Sequence, residues 1–173
     1  MGPDLCLLCG GGLVNLRVGA IIMRDGKILM VESYRAEYLS SVGGRIKFGE
    51  TAEEAVVREV YDETGVRMGV HRLAFVHENY FYGDDPGKLG KLTYEISFYY
   101  LMEVPVDFEP ACRSFTEDGR REFLCWVTPD TEKKIYPEFF RTELRKIAPG
   151  VKHFVTDERV TADGANPAEA SAP

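Results

Sequence analysis

The chain has 173 residues, 45% hydrophobic and 28% charged, enough for one domain with a sizeable core and too apolar for a disordered chain. Its formal net charge of −7 argues against a general nucleic-acid binder, because contacts to a phosphate backbone come mainly from lysine and arginine; a small anionic ligand stays compatible where a metal supplies positive charge locally. No run of about 18 apolar residues marks a transmembrane helix, and Met1-Gly2 is followed by neither a basic-then-apolar leader nor a myristoylation signal, so a cytoplasmic protein is the expectation.

Residues 1–15 show no convincing element. Cys6 and Cys9 form a CxxC ahead of Gly10-Gly11-Gly12, superficially half of a zinc ribbon or a redox pair, but Cys112 and Cys125, with twelve residues between them, do not supply the other half. Reduced, mostly buried thiols are the simpler expectation. Leu16 to Met23 and Lys27 to Glu32 then read as aliphatic strands, and Asp25-Gly26 between them is a strong hairpin signal that makes them antiparallel neighbours. Arg17 and Arg35 flank this hairpin, either as phosphate contacts or as ordinary surface arginines. A short strand near Leu39 to Val42 delivers the chain into Gly43-Gly44, read as a tight glycine loop.

A helix follows. Thr51 with Glu54 three residues on is a capping-box pattern, and Gly65 marks the helix end. Glu59, Asp62 and Glu63 stand at i, i+3 and i+4 and share one face, while Val57, Val60, Tyr61 and Thr64 form the opposite, buried stripe. Glu59 and Glu63 repel at that spacing by about 0.2–0.5 kcal/mol. A hard divalent cation, Mg²⁺ or Mn²⁺, would remove the penalty; a solvated acidic face is the plainer meaning of the same residues.

Gly44, Glu50, Arg58-Glu59, Val60, Glu63, Gly65 and Val66 together resemble the Nudix box of the Nudix hydrolases: a glycine, five residues, a glutamate, seven residues, then Arg-Glu-aliphatic-any-Glu-Glu-any-Gly-aliphatic. One fixed position departs, since Asp62 stands where the family has the first glutamate of the Glu-Glu pair. The box spans 23 of the 173 residues. The resemblance implies Glu59, Asp62 and Glu63 as ligands of Mg²⁺ or Mn²⁺, with Gly43 and Gly44 in the loop that shapes the site. Asp62, one methylene shorter, would bind through water or leave one metal weaker. Arg58 would orient the glutamates by charge-assisted hydrogen bonds. Glu50 is either a partner of Arg58 or merely the loop residue before the cap.

After the box, Gly69 to Tyr82 reads as a long strand and Gly83 to Gly87 as a turn. Lys91 to Met102 alternates, with Tyr94, Ile96, Phe98 and Tyr100 on one face and Glu95, Ser97 and Tyr99 on the other. The resemblance implies a further metal ligand or general base outside the box; Glu95 is the first candidate, ahead of Glu78 and Glu117, and its alternative is a solvent-facing residue on a half-covered sheet. Val104 to Arg120 reads as a mobile loop and Glu122 to Val127 as a short strand. Tyr136-Pro137-Glu138 opens a helix to about Ile147, packed through Phe139, Phe140, Leu144 and Ile147, and Val151 to Val155 adds an edge segment. Residues 1–158 form one domain and 159–173 a disordered tail.

The fold class is α/β, and the resemblance implies an α/β/α sandwich with a mixed sheet. The activity it implies is hydrolysis of the pyrophosphate in a nucleoside diphosphate linked to another group, with Glu63 or Glu95 taking the proton from the attacking water. Tyr38, Tyr80, Phe81 and Tyr82 offer a stacking surface for a base or serve as core. Through Tyr82 the resemblance implies dinucleoside polyphosphates and through Pro86 it implies ADP-ribose; modified nucleotides stay open. The partners expected are a small nucleotide and a second copy in a homodimer. The competing readings are a non-catalytic nucleotide-binding module, for which Asp62 speaks, and a zinc-ribbon scaffold.

Overall fold

A computed structural model describes residues 2–33, 37–83, 90–111 and 122–159. Arg35, Pro86, Cys112, Glu117 and the tail beyond Arg159 lie outside the described residues. The first fifteen residues are not structureless. Strand β1 (Cys6–Cys9) pairs antiparallel with the start of β2 (Gly12–Ile21) around Gly10-Gly11, whose φ values of 53° and 94° favour glycine. Cys6, Cys9 and Cys125 are free thiols, and Cys9 is exposed, contrary to the expectation of mostly buried cysteines.

The Asp25-Gly26 hairpin exists with a shorter first arm than the sequence suggests. Only β3 (Met23–Arg24) pairs with β4 (Lys27–Glu32), while β2 runs antiparallel to β5 (Tyr38–Arg45) and parallel to β7 (Leu92–Glu103). The reason is burial on both faces. Ile21 and Ile22 are each fully buried, one in each of two core clusters, which suits a central strand.

Helix α1 (Ala52–Thr64) follows β5, then β6 (Gly69–Tyr82) pairs antiparallel with β7. Strand β8 (Phe123–Val127) joins β4, β9 (Lys134–Tyr136) lies parallel to β5, and β10 (Lys152–Asp157) parallel to β6. The mixed sheet runs β10-β6-β7-β2-β5-β4-β3, with β1, β8 and β9 on its flanks. One face packs Val18, Ala20 and Val42 against Ala55, Val56 and Val60 of α1. Each fully buried valine there contributes about 1.5–3 kcal/mol. The other packs Ile21, Phe75 and Tyr99 against Phe140 and Leu144. The result is an α/β fold with a helical layer on each face, the second one thin.

That thin layer corrects the expected second helix. Tyr136 ends β9, and α2 is a single turn, Phe140–Glu143. Phe139 and Phe140 pack edge-on against Tyr99, and the Arg141 guanidinium donates to the carbonyls of Thr131 and Lys133, so tertiary contacts hold the segment as a turn. The described part of the expected mobile loop is anchored too: Phe108 is 2% exposed, and Arg24 donates to the carbonyls of Phe108 and Pro105. Among the described residues no helix is long and apolar enough to cross a membrane.

Candidate active site

Helix α1 starts where its capping box places it. The Glu54 N–H donates to Thr51 Oγ1 at 3.2 Å, the Thr51 N–H to Glu54 Oε2 at 2.8 Å, and Gly65 ends the helix in the left-handed region. The buried stripe differs from the expected one. Ala55, Val56, Val60, Glu63 and Thr64 are buried, whereas Val57 and Tyr61 are half-buried. The inward direction is therefore rotated toward the acids, which grade from buried Glu63 through Glu59 to Asp62, whose side chain is 55% exposed.

Gly43 and Gly44 are not a loop. They are paired residues of β5 just before Arg45, opposite Gly19 and Val18 of β2, and the turn comes only at residues 47–50. Their glycines answer a close approach. A Cβ on Gly43, at φ 142°, would sit 2.2 Å from the Val18 carbonyl oxygen, and one on Gly44 would sit 2.5 Å from Glu59 Oε1. The strand thus lets two carboxylates of α1 come down onto its backbone.

Arg58 ties this approach together. Its Nε donates to Glu50 Oε2 at 3.0 Å and its Nη2 to Glu50 Oε1 at 2.6 Å, a bidentate pair, while Nη1 donates to Glu59 Oε1 at 2.6 Å and Nη2 also to the Arg45 carbonyl. Asp62 Oδ2 lies 3.7 Å from the same guanidinium. Of the two readings of Glu50, the structure has the partner of Arg58, and these hydrogen bonds hold its carboxyl below the usual carboxylate range.

Glu63 is 8% exposed. Its Oε1 accepts the Gly43 N–H at 3.3 Å, and its Oε2 is buried with no hydrogen-bond partner. Burial pushes its pKa up to about 8; the charges of Glu59 and Glu122 push the same way, against the Gly43 N–H and Arg17. Glu122, just before β8, went unnoticed in the sequence because nothing local distinguishes it; only the pairing of β8 with β4 carries it toward α1. Among the described residues no three His, Cys, Asp or Glu side chains are arranged to hold a metal. Glu63 Oε2 beside Glu59 nonetheless fits Mg²⁺ in donor chemistry, since that ion takes one or two carboxylates and fills its shell with water and phosphate oxygens.

Beside Glu59 and Asp62, though not Glu63, lies a groove of ≈ 370 Å³ whose lining includes Gly44, Arg17, Lys47 and Arg45, the last paired with Asp4 at 3.3 Å. Arg45 and Lys47 were missed as site residues although they lie inside the box. Arg17 is one of the flanking arginines the sequence singled out.

Glu95 lies apart from the acids of α1. It is 9% exposed, accepts from Asn15 Nδ2 at 2.7 Å and Ser97 Oγ at 3.1 Å, and stands 3.9 Å from Arg17 Nη1. The solvent-facing alternative fails because Thr93, Glu95 and Ser97 are all buried. Glu78 serves a different network, accepting from the Tyr94 hydroxyl and lying 2.8 Å from His153 Nε2. Tyr38 packs edge-on against Tyr136, and Tyr82 is 48% exposed at the end of β6; neither lines the groove. Cys6 and Cys9, three apart on a strand, point to opposite faces, which does not suit a shared ligand.

A family model describing the NUDIX domain matches residues 14–149. A MutT-like protein of Streptomyces ambofaciens is 34% identical over 61 residues, 35% of this chain and 40% of that protein. An ADP-ribose pyrophosphatase of Methanocaldococcus jannaschii is 38% identical over 65 residues, 36% of this chain and 38% of that protein, so the chain spans about two fifths of either relative. Among solved structures, a MutT NUDIX hydrolase from Burkholderia pseudomallei is 25% identical and superposes with a TM-score of 0.57 over 78% of this chain and 98% of that one.

Proposed function

The chain belongs to the NUDIX domain family, and from that premise we propose that it is a divalent-cation-dependent hydrolase of the pyrophosphate linkage in a nucleoside diphosphate joined to another group. The observation that carries the proposal is the buried, unpartnered Glu63 Oε2, one helical turn from Glu59, which Arg58 holds and which lines a groove together with Arg17, Arg45 and Lys47. A diphosphate matches such a groove in charge, and a cation matches the orphaned oxygen.

Glu59 and Glu63 would hold Mg²⁺ or Mn²⁺, with Asp62 at the rim, and the ion when bound supplies polarisation of a phosphoryl oxygen and acidification of a water. Arg58 donates to Glu59 and so orients its carboxylate. Arg17, Arg45 and Lys47 receive the phosphate oxygens. The Gly43 N–H fixes the Glu63 carboxylate, which would take the proton of the attacking water. Glu122 is the acid outside the box that bears on Glu63, whereas Glu95 serves Arg17.

The ADP-ribose pyrophosphatase named above makes ADP-ribose the first substrate for trial, with dinucleoside polyphosphates and modified nucleotides tried beside it. A panel of nucleoside diphosphate derivatives incubated with Mg²⁺ or Mn²⁺ should release a nucleoside monophosphate and a phosphorylated remainder, read by chromatography. Absence of hydrolysis across the panel, with tight binding of one compound, would establish a non-catalytic binding module instead.

A further inference from the structure

Asp4 lines the groove but comes from outside residues 14–149, the span that matches the family model, so this acid is a feature of the chain and not of the box. Backbone bonds seat it there. The Phe48 N–H donates to the Pro3 carbonyl at 2.8 Å, the Leu5 N–H donates to the Ile46 carbonyl at 2.8 Å, and Asp4 itself stands opposite Lys47 in an antiparallel bridge. Leu5 packs against the core cluster that α1 covers, and its carbonyl accepts the Leu16 N–H at 3.0 Å. A Cβ on Gly2 would sit 2.1 Å from the Phe48 carbonyl oxygen, so residues 2–5 lie flush against the turn of the box. None of these bonds uses the Asp4 side chain, and a ligand in the groove does not have to break them.

Asp4 Oδ2 is 3.3 Å from Arg45 Nη1, and the side chains of Asp4 and Arg45 are 40% and 29% exposed. A pair so exposed adds little to folding; its bearing is on what enters the groove. Arginine has donors enough to keep Asp4 and still receive a phosphate oxygen, so a ligand held by Arg45 lies beside a fixed anion. The neighbouring guanidinium groups are matched as well, Arg58 by Glu50 and Glu59 and Arg17 by Glu95 at 3.9 Å. Little positive charge is left over, and each further negative charge on the ligand is felt against Asp4. A diphosphate esterified at both ends carries one negative charge on each phosphorus, whereas a free terminal phosphate carries about one more at pH 7.

We propose that Asp4 is a specificity-determining residue, admitting a diphosphate esterified at both ends and disfavouring one that ends in a free phosphate. The inference rests on the hydrolase reading for the place of the diphosphate in the groove. It narrows the substrates of that reading toward compounds of the ADP-ribose type and away from nucleoside triphosphates.

Two ligands isolate the free end: α,β-methylene ADP, and α,β-methylene ADP-ribose, in which the same bridge is capped. The methylene bridge resists hydrolysis, so binding is read whether or not the chain turns over. Calorimetry in Mg²⁺ compares the full-length wild type with Asp4→Asn, Asp4→Glu and Asp130→Asn, the last an equal change of charge at an exposed pair that does not line the groove. Asp4→Asn should raise affinity for the free-ended analogue about fivefold more than for the capped one, and added salt should shrink the difference. Asp4→Glu and Asp130→Asn should keep the ratio of the two affinities within about twofold of the wild type. Thermal melts check the fold, and Asp4→Ser decides by the same criterion should Asp4→Asn not fold. The assignment is overturned by an unchanged ratio in the deciding variant, by an equal shift in Asp130→Asn, or by failure of both analogues to bind. An equal loss for both analogues overturns it too, leaving Asp4 as a brace for Arg45. Turnover in the substrate panel without the shift keeps the hydrolase reading alone; the shift without turnover keeps the role of Asp4 in a binding module.

Discussion

The N-terminal hairpin and the box segment carry the same ingredients, a glycine pair and closely spaced metal-ligand residues, and the structure treats them in opposite ways. At Gly10-Gly11 an added Cβ would meet nothing within 4 Å; at Gly43 and Gly44 it would strike the Val18 carbonyl and the Glu59 carboxylate. Cys6 and Cys9 diverge across a strand, while Arg58, Glu59 and Glu63 converge from one helix onto one strand. Glycine in the hairpin serves a turn; glycine in the box serves a contact. Spacing becomes informative only when the period of the local backbone brings the residues to the same side.

The largest expected effect breaks the box at Glu63. Glu63→Gln should lower turnover on the preferred pyrophosphate substrate by about 10²–10⁴-fold, measured by initial rates at saturating cation, and leave the fold intact. The same variant should alter stability with a defined sign. In chelator, burial pushes the Glu63 pKa up to about 8 in the folded chain, against 4.5 for an unperturbed glutamate. The folded state then holds the proton more tightly, so this stabilisation is complete below pH 4.5 and lost as the pH rises through 8. The unfolding free energy of the wild type relative to Glu63→Gln, from urea titrations, should therefore fall between pH 5 and 8, by up to roughly 5 kcal/mol; parallel profiles for the two proteins would contradict the burial account.

Next comes the contrast between the glycine pairs. Gly43→Ala should destabilise by about 3 kcal/mol or more, from backbone overlap, whereas Gly10→Ala should cost only about 1–2 kcal/mol for its left-handed φ. Equal denaturation midpoints would erase the distinction. Thr51→Ala should remove about 1 kcal/mol through the lost cap, and activity measured well below the melting temperature should not change. Smallest of all, Cys6→Ser with Cys9→Ser should leave bound zinc, read by elemental analysis, and turnover where they were.

The sequence reveals what is decided locally. Thr51, Glu54 and Gly65 fix the ends of α1 through hydrogen bonds within a turn or so of each residue, and the Arg58-Glu59 pair lies within the same helix. It hides what is decided by distant partners. Which face of alternating β7 is covered depends on the strands and layers beside it, so Glu95 reads equally as buried or exposed until the sheet is assembled. Gly43-Gly44 mimics a loop because glycine most often marks a turn, and a carboxylate pressing on the backbone leaves no trace nearby in sequence. Glu122 and Glu63 are 59 residues apart and meet only through sheet pairing. In the same way Phe139 and Phe140 look helical until their aromatic neighbours pin them.

Strand β10 runs parallel to β6 from Lys152↔Phe75 to Asp157↔Tyr80, and so covers a margin of β6 that would otherwise present a row of vacant amide and carbonyl groups. It works as a guard rail: a variant trimmed before Lys152 would bare that margin beside Phe75 and Val76 and offer other chains a template for growth, so loss of this short segment should show as precipitation during expression well before any loss of catalytic competence.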